Sequence, residues 1–105
     1  MISYFKVIGE SMEPWAKDGD FVVIDRMSYL FFKPKIGHVA LVRHPKRQNL
    51  LLLKRIVKKE SDRYWVEGDS PSKSTDSRHF GWLKREFLLG KVIHRTGSFA
   101  LGILV

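Results

Sequence analysis

The 105-residue chain is 44% hydrophobic and 12% aromatic, which suits one compact domain, expected to run over residues 1–105, and leaves little room for a second. It has no cysteine, so disulfides, thiolate zinc sites and cysteine nucleophiles are excluded. A formal charge of +8 and a pI of about 10.0 suit a polyanion, an anionic membrane face or an acidic substrate without choosing among them.

The start, Met1 to Ile8, lacks a cationic leader followed by a long apolar core, and no run approaches the roughly 20 apolar residues that span a bilayer. The expectation is a soluble, cytoplasmic protein, at most peripheral to a membrane. Tyr4 to Ile8 is aromatic and β-branched and ends at Gly9, so it reads as a strand that delivers Ser11 to its tip. Pro14 and Gly19-Asp20 limit any following helix to about one turn. Phe21 to Ile24 is wholly apolar and reads as a strand covered on both faces. Met27 to Phe32 reads as an apolar loop or short strand, closed by the turn chemistry of Lys33-Pro34-Lys35-Ile36-Gly37.

Val39 to Arg43 and Leu50 to Val57 form an expected hairpin around a polar connection in which Pro45 blocks further pairing. Tyr64 to Glu67 is the next strand. Gly68 to Gly81 is too polar and broken for regular structure, and Leu88 to Arg95 reads as a closing strand. The residues at 97–105 form an apolar tail expected to be flexible. Many short strands and no long periodic helix predict a mainly β fold, a compact antiparallel barrel or coiled sheet with at most short helical turns.

Three elements bear on chemistry. Ser11 sits where a nucleophile would, although a serine before Met12-Glu13-Pro14 also suits a helix cap. His38, His44, His79 and His94 are scattered, and none has a metal-ligand spacing, so no metal or cofactor is expected and another base is sought. Strand parity puts Lys54 on the face of Leu50, Leu52 and Ile56, where poor solvation lowers an amine's pKa. The alternatives are that Lys54 snorkels to water or pairs with a carboxylate such as Asp25. Arg55 points the other way and keeps its proton. The loop from Gly68 to Gly81 is either a solvated connection or a scaffold that orients the amine through its hydroxyls and the Asp76/Arg78 pair.

In this order, Gly9-Glu10-Ser11-Met12-Glu13-Pro14, Gly19-Asp20, Lys54-Arg55 and Gly68-Asp69 through Ser74-Thr75-Asp76-Ser77-Arg78-His79-Phe80-Gly81 resemble the signal peptidase I family of Ser/Lys-dyad serine proteases. Val42-Arg43-His44-Pro45, Trp65-Val66-Glu67-Gly68-Asp69 and the Ser74 to Arg78 run look most like the nickel-type superoxide dismutase maturation proteases. The resemblance implies the signal peptidase catalytic-core fold, with Ser11 as nucleophile, Lys54 as general base and Ser74 bonded to the lysine. It further implies Asp76 and Arg78 as the pair that holds the loop, the Ser11 backbone N–H as an oxyanion donor, and Met12 and Pro14 as residues flanking the substrate. Gly9 stands where many of these enzymes place a second, serine oxyanion donor, and Gly37-His38 replaces a usual Gly-Asp.

The implied activity is removal of an N-terminal propeptide from a precursor bound as an extended strand, first of all a nickel-type superoxide dismutase precursor. The alternatives are cleavage of secretory signal peptides at a membrane surface and, from another class, a basic nucleic-acid-binding β module. The loop from Gly68 to Gly81 argues against the last, so no nucleic-acid partner is expected. The sequence sets no oligomeric state.

Overall fold

Val39-Ala40-Leu41-Val42 has no polar side chain to turn outward, and all four residues are buried. Ala40 and Val42 join one hydrophobic cluster, with Tyr29, Ile56, Tyr64, Val66, Leu83 and Leu88. Val39 and Leu41 join a second, with Val7, Met12, Ala16, Val22 and Ile24. A strand whose alternate residues enter separate clusters is covered on both faces, and this one lies in the middle of the sheet.

The computed structural model describes residues 1–96. The strands are β1 (Ile2–Lys6), β2 (Phe21–Asp25), β3 (Val39–Arg43), β4 (Leu51–Glu60), β5 (Arg63–Glu67), β6 (Leu83–Lys84) and β7 (Leu88–Thr96), and the helices α1 (Ser28–Phe31) and α2 (Ser77–Phe80) are one turn each. All pairings are antiparallel, in the order β1-β2-β7-β3-β4-β5-β6. The sheet curls into a half-barrel. Register shifts at Val23/Ile24, Leu41/Val42 and Ile56/Lys58 supply bends of the kind that curl a sheet. At Gly90 an added Cβ would stand 2.6 Å from Ile24 Cγ2 and 3.0 Å from the Asp25 carbonyl, so β7 approaches β2 more closely than a side chain allows.

The mainly antiparallel β expectation holds, with differences that have physical reasons. Phe21 to Ile24 is not covered on both faces: Val22 and Ile24 are buried while Phe21 and Val23 stay half-exposed, because β2 lies next to the edge strand β1 at the thin end of the sheet. Met27 to Phe32 is a helical turn rather than a loop or strand. Tyr29 alone turns inward, and its hydroxyl bonds His38 Nδ1 at 2.9 Å. The stretch from Gly68 to Gly81 contains more regular structure than its composition suggests, a 3-10 turn at Pro71–Lys73 and α2. Strand β7 closes nothing at an edge; it is inserted between β2 and β3. The two-residue β6 is too short to leave a pattern in the sequence. The tail at 97–105 lies outside the described residues, among which no helix is long and apolar enough to cross a membrane.

Ile56 is fully buried in the first cluster and Ile93 is 49% exposed on β7. Urea unfolding is expected to show Ile56→Ala destabilised by about 2–5 kcal/mol and Ile93→Ala by roughly 0.5 kcal/mol or less.

Candidate active site

Ser11 stands on the turn that follows β1, and the turn is pinned from several directions. Gly9 N–H donates to Asp18 Oδ1 (2.8 Å), Lys17 N–H to Asp20 Oδ2 (2.8 Å) and Ala16 N–H to the Met12 carbonyl (3.0 Å). The Met12 side chain, 1% exposed, is sunk into the second cluster. The Ser11 carbonyl accepts from Ser70 N–H at 2.8 Å, which ties the turn to the later loop. Among the described residues, no hydrogen bond within the chain engages the Ser11 hydroxyl or the Ser11 N–H. Both are available to a ligand.

Lys54 lies opposite Ala40 on β4 and is 2% exposed, the inward orientation that strand parity predicts. Its Nζ donates to Ser74 Oγ at 3.1 Å. It neither snorkels to water nor pairs with Asp25, whose carboxylate instead accepts from Met27 and Ser28 N–H. Burial lowers the Lys54 pKa to about 8; the Asp76 carboxylate opposes this shift and the Arg78 guanidinium adds to it. About a tenth of the amine is therefore neutral at pH 7, against roughly one part in 2,500 at the ordinary lysine value of about 10.4.

The loop after β5 supplies the lysine's surroundings. Ser74 Oγ, accepting from Lys54, donates its own proton to Asp76 Oδ2 at 2.5 Å. Asp76 is fully buried and also receives Gly68 N–H (2.8 Å), Arg78 Nε (2.9 Å) and Arg78 Nη2 (2.6 Å). Burial alone would push this carboxyl's pKa up, but the bonds from Arg78, Ser74 and Gly68 together hold it well below the usual carboxylate range. Asp76 also caps α2, its side chain accepting from Arg78 N–H at 3.1 Å, so the charge that orders the serine also starts the helical turn.

Ser11 and Lys54 line one cavity of about 190 Å³ together with Phe5, Val7, Val22, Leu41 and Leu53. With four strand spacings between β1 and β4, a flat sheet would hold them roughly 19 Å apart, so their convergence is a product of the curl. Met12 also lines this cavity, whereas Pro14 is exposed and outside it. Among the described residues, no group of three or more His, Asp or Glu is placed to hold a metal ion.

Two supports escaped the sequence reading. Arg55, set aside as turned away from the lysine's face, pairs with Asp69 through Nε (3.0 Å) and Nη2 (2.9 Å) and lies over Trp15 at 5.7 Å. It thus braces the start of the loop against the turn that carries Ser11. The Ser77 hydroxyl accepts from Val66 N–H at 2.9 Å and fastens the end of the loop to β5. The adjacency of Arg55 to Lys54 and of Asp69 to Gly68 was the available signal for the first; for the second it was the place of Ser77 in the Ser74 to Arg78 run, although nothing in the sequence named β5 as its partner.

Gly68 is constrained by its neighbours. An added Cβ would collide with Ser74 Oγ and stand 2.6 Å from the Ser11 carbonyl, which is backbone and cannot swing aside. Gly68→Ala is expected to separate the loop from Ser11, with a loss of stability of roughly 1–3 kcal/mol by urea unfolding. For Lys54 the sign of the pH effect follows from its lowered pKa. Between about pH 8 and 10.5 the unfolded chain holds a proton that the folded chain has released, so this group adds stability as pH rises through that window and costs a constant amount below it. Lys54→Met is therefore expected to be more stable than the parent at pH 7, by roughly 1–3 kcal/mol, with the gap closing towards pH 10.5. Chemical denaturation across pH measures it.

A family model described as "Signal peptidase, peptidase S26" matches residues 1–62, which include Ser11 and Lys54. The mitochondrial ATP-independent inner membrane protease subunit 1a of Arabidopsis thaliana is 32% identical, over 91% of this chain and 71% of its own length. Mitochondrial inner membrane protease subunit 1 is 26% identical in Xenopus tropicalis, over 84% of this chain and 65% of that protein. In Mus musculus it is 24% identical, over 88% and 68%. The chain thus spans about two thirds of the length of these relatives. With a family match over more than half of its residues, and with its curled antiparallel sheet, the chain belongs to the signal peptidase family, peptidase S26.

Proposed function

We propose that this chain is a serine endopeptidase, with Ser11 as nucleophile and Lys54 as general base, that removes N-terminal segments from precursor proteins at a membrane surface. The observation that carries the reading is a buried lysine with its pKa lowered to about 8, lining the same cavity as a serine whose hydroxyl has no hydrogen-bond partner among the described residues.

In this mechanism the neutral Lys54 amine takes the Ser11 Oγ proton as Oγ attacks the scissile carbonyl, and the ammonium then gives that proton to the leaving amine. A water deprotonated by the same amine hydrolyses the ester. Lys54 spends one N–H on Ser74, and this bond holds the amine in a fixed orientation. The Ser11 N–H donates to the oxyanion. Gly9 N–H is already committed to Asp18, so it is not a second donor in this conformation. The precursor lies as an added strand along β1, an edge of the sheet, with a small apolar side chain in the space between Phe5, Val7 and Leu53.

The names of the matched relatives support the choice of precursor: they are inner membrane proteases, which favours targeting segments processed beside a membrane. A superoxide dismutase precursor, the substrate implied by the resemblance in sequence, has no counterpart in those names and takes second place.

With a fluorogenic peptide carrying a small apolar residue before the scissile bond, Ser11→Ala and Lys54→Met are each expected to lose at least ~10³-fold in kcat/KM. The parent's kcat/KM is expected to rise with pH through an apparent pKa near 8 and then level off, because only the unprotonated amine is a base. If either variant kept parental turnover, the dyad assignment would fail. A comparison of a signal-peptide precursor with a superoxide dismutase precursor, by mass spectrometry of the new N-terminus, ranks the two substrates.

A further inference from the structure

The helical turn α1 buries Tyr29 but leaves Leu30 and Phe31 exposed at 70% and 72%, and Phe32, the residue that follows it, is exposed at 70%. Three consecutive large apolar residues in water are an unfavourable surface unless something covers them. Their neighbour is a concavity of about 530 Å³ between the β4–β5 turn and β6, into which Lys33, Lys59, Arg63, Lys84 and Arg85 converge, with Asp62 the one acidic group in its wall. Among the described residues, none of these five cations is engaged in an ion pair. Arg85 joins the two features. Its guanidinium donates to the Tyr29 carbonyl and, at 3.0 Å, to the Phe32 carbonyl, which seats the apolar turn at the lip of the basic concavity.

We propose that this concavity and the adjoining apolar turn form a docking site for an anionic phospholipid surface, separate from the cavity of Ser11 and Lys54. The cations take the phosphates of the headgroups, and Leu30, Phe31 and Phe32 enter the acyl boundary above them. Charge complementarity names the phosphate, and the adjacency of an aliphatic and two phenyl side chains selects lipid over nucleic acid. A nucleic-acid groove would set exposed aromatic rings among its cations as stacking platforms, whereas Tyr64, the aromatic residue in this wall, lies under Lys59 and is only 2% exposed, and such a groove has no use for an exposed leucine. Leu30, Phe31 and Phe32 alone would anchor weakly, and combining an apolar anchor with a basic patch is the usual route to stable attachment. The inference rests on the precursor-cleavage reading only in taking a membrane as the place of work.

Co-sedimentation with vesicles tests it. The full chain is expected to bind vesicles containing about 30% phosphatidylglycerol and to leave pure phosphatidylcholine vesicles in the supernatant, with binding that falls as salt is raised. The exposed-site variant Lys33→Glu/Arg63→Glu/Lys84→Glu and, separately, Leu30→Ser/Phe31→Ser/Phe32→Ser are each expected to lower the partition coefficient about tenfold or more. Cleavage of a soluble peptide is expected to stay at the parental level in both. Failure of the parent to bind anionic vesicles, or parental binding by both variants, overturns the site. So does binding to inorganic phosphate or single-stranded DNA with no vesicle binding. Vesicle binding without any peptidase activity would leave the site standing and count against the cleavage reading alone.

Discussion

The fold is organised around a buried amine. Lys54 projects from β4 into a region where an ammonium is poorly solvated, and the cost of that placement is met by one serine hydroxyl and, beyond it, one buried carboxylate. Asp76 is kept ionised by the bonds from Arg78, Ser74 and Gly68, and it stands one hydroxyl away from the amine rather than in direct contact. A carboxylate bonded directly to the amine would favour the ammonium and restore its pKa; the intervening serine keeps the amine oriented while burial remains the dominant influence. The same carboxylate opens the helical turn α2, so the loop's shape and its charge distribution arise from one residue.

The curl of the sheet is the second requirement. β1 and β4 are separated by β2, β7 and β3 in the hydrogen-bonded order, and only bending brings the turn carrying Ser11 over the strand carrying Lys54. The register shifts along β2, β3 and β4 and the close packing at Gly90 supply that bend. Two further ties then fix the gap: Ser70 N–H on the Ser11 carbonyl, and Arg55 between Asp69 and Trp15. Both join the loop after β5 to the turn after β1. The residues matched by the family model, 1–62, hold Ser11, Trp15, Lys54 and Arg55, while the partners that complete the two ties, Ser70 and Asp69, lie beyond them.

Much of this was legible in the residues. Strand parity placed Lys54 among Leu52 and Ile56 because alternation is a local property, and Pro14 with Gly19 announced the tight turn after β1. What stayed hidden depended on long-range geometry. Phe21 to Ile24 looked like a doubly covered strand, yet coverage is decided by its neighbours in the sheet, and its neighbour β1 is an edge. The position of β7 between β2 and β3 follows from topology, which no local pattern encodes. Met27 to Phe32 was ambiguous because a run of bulky apolar residues suits a strand, a buried turn or an exposed one equally well; only the inward seating of Tyr29 decides it. The composition of the loop from Gly68 to Gly81 suggested no regular structure, since its order comes from Asp76 and not from an apolar face.

The most direct test of the account is a titration of the Lys54 side chain itself, by nitrogen-15 NMR of Nζ in the Ser11→Ala protein, where no substrate or acyl-enzyme complicates the signal. The account predicts a midpoint near pH 8 that moves when Ser74 is replaced by alanine. A midpoint near the ordinary lysine value of about 10.4 would contradict it, because the neutral fraction at pH 7 would then fall from about a tenth to less than about a thousandth, leaving almost no amine able to take the serine proton.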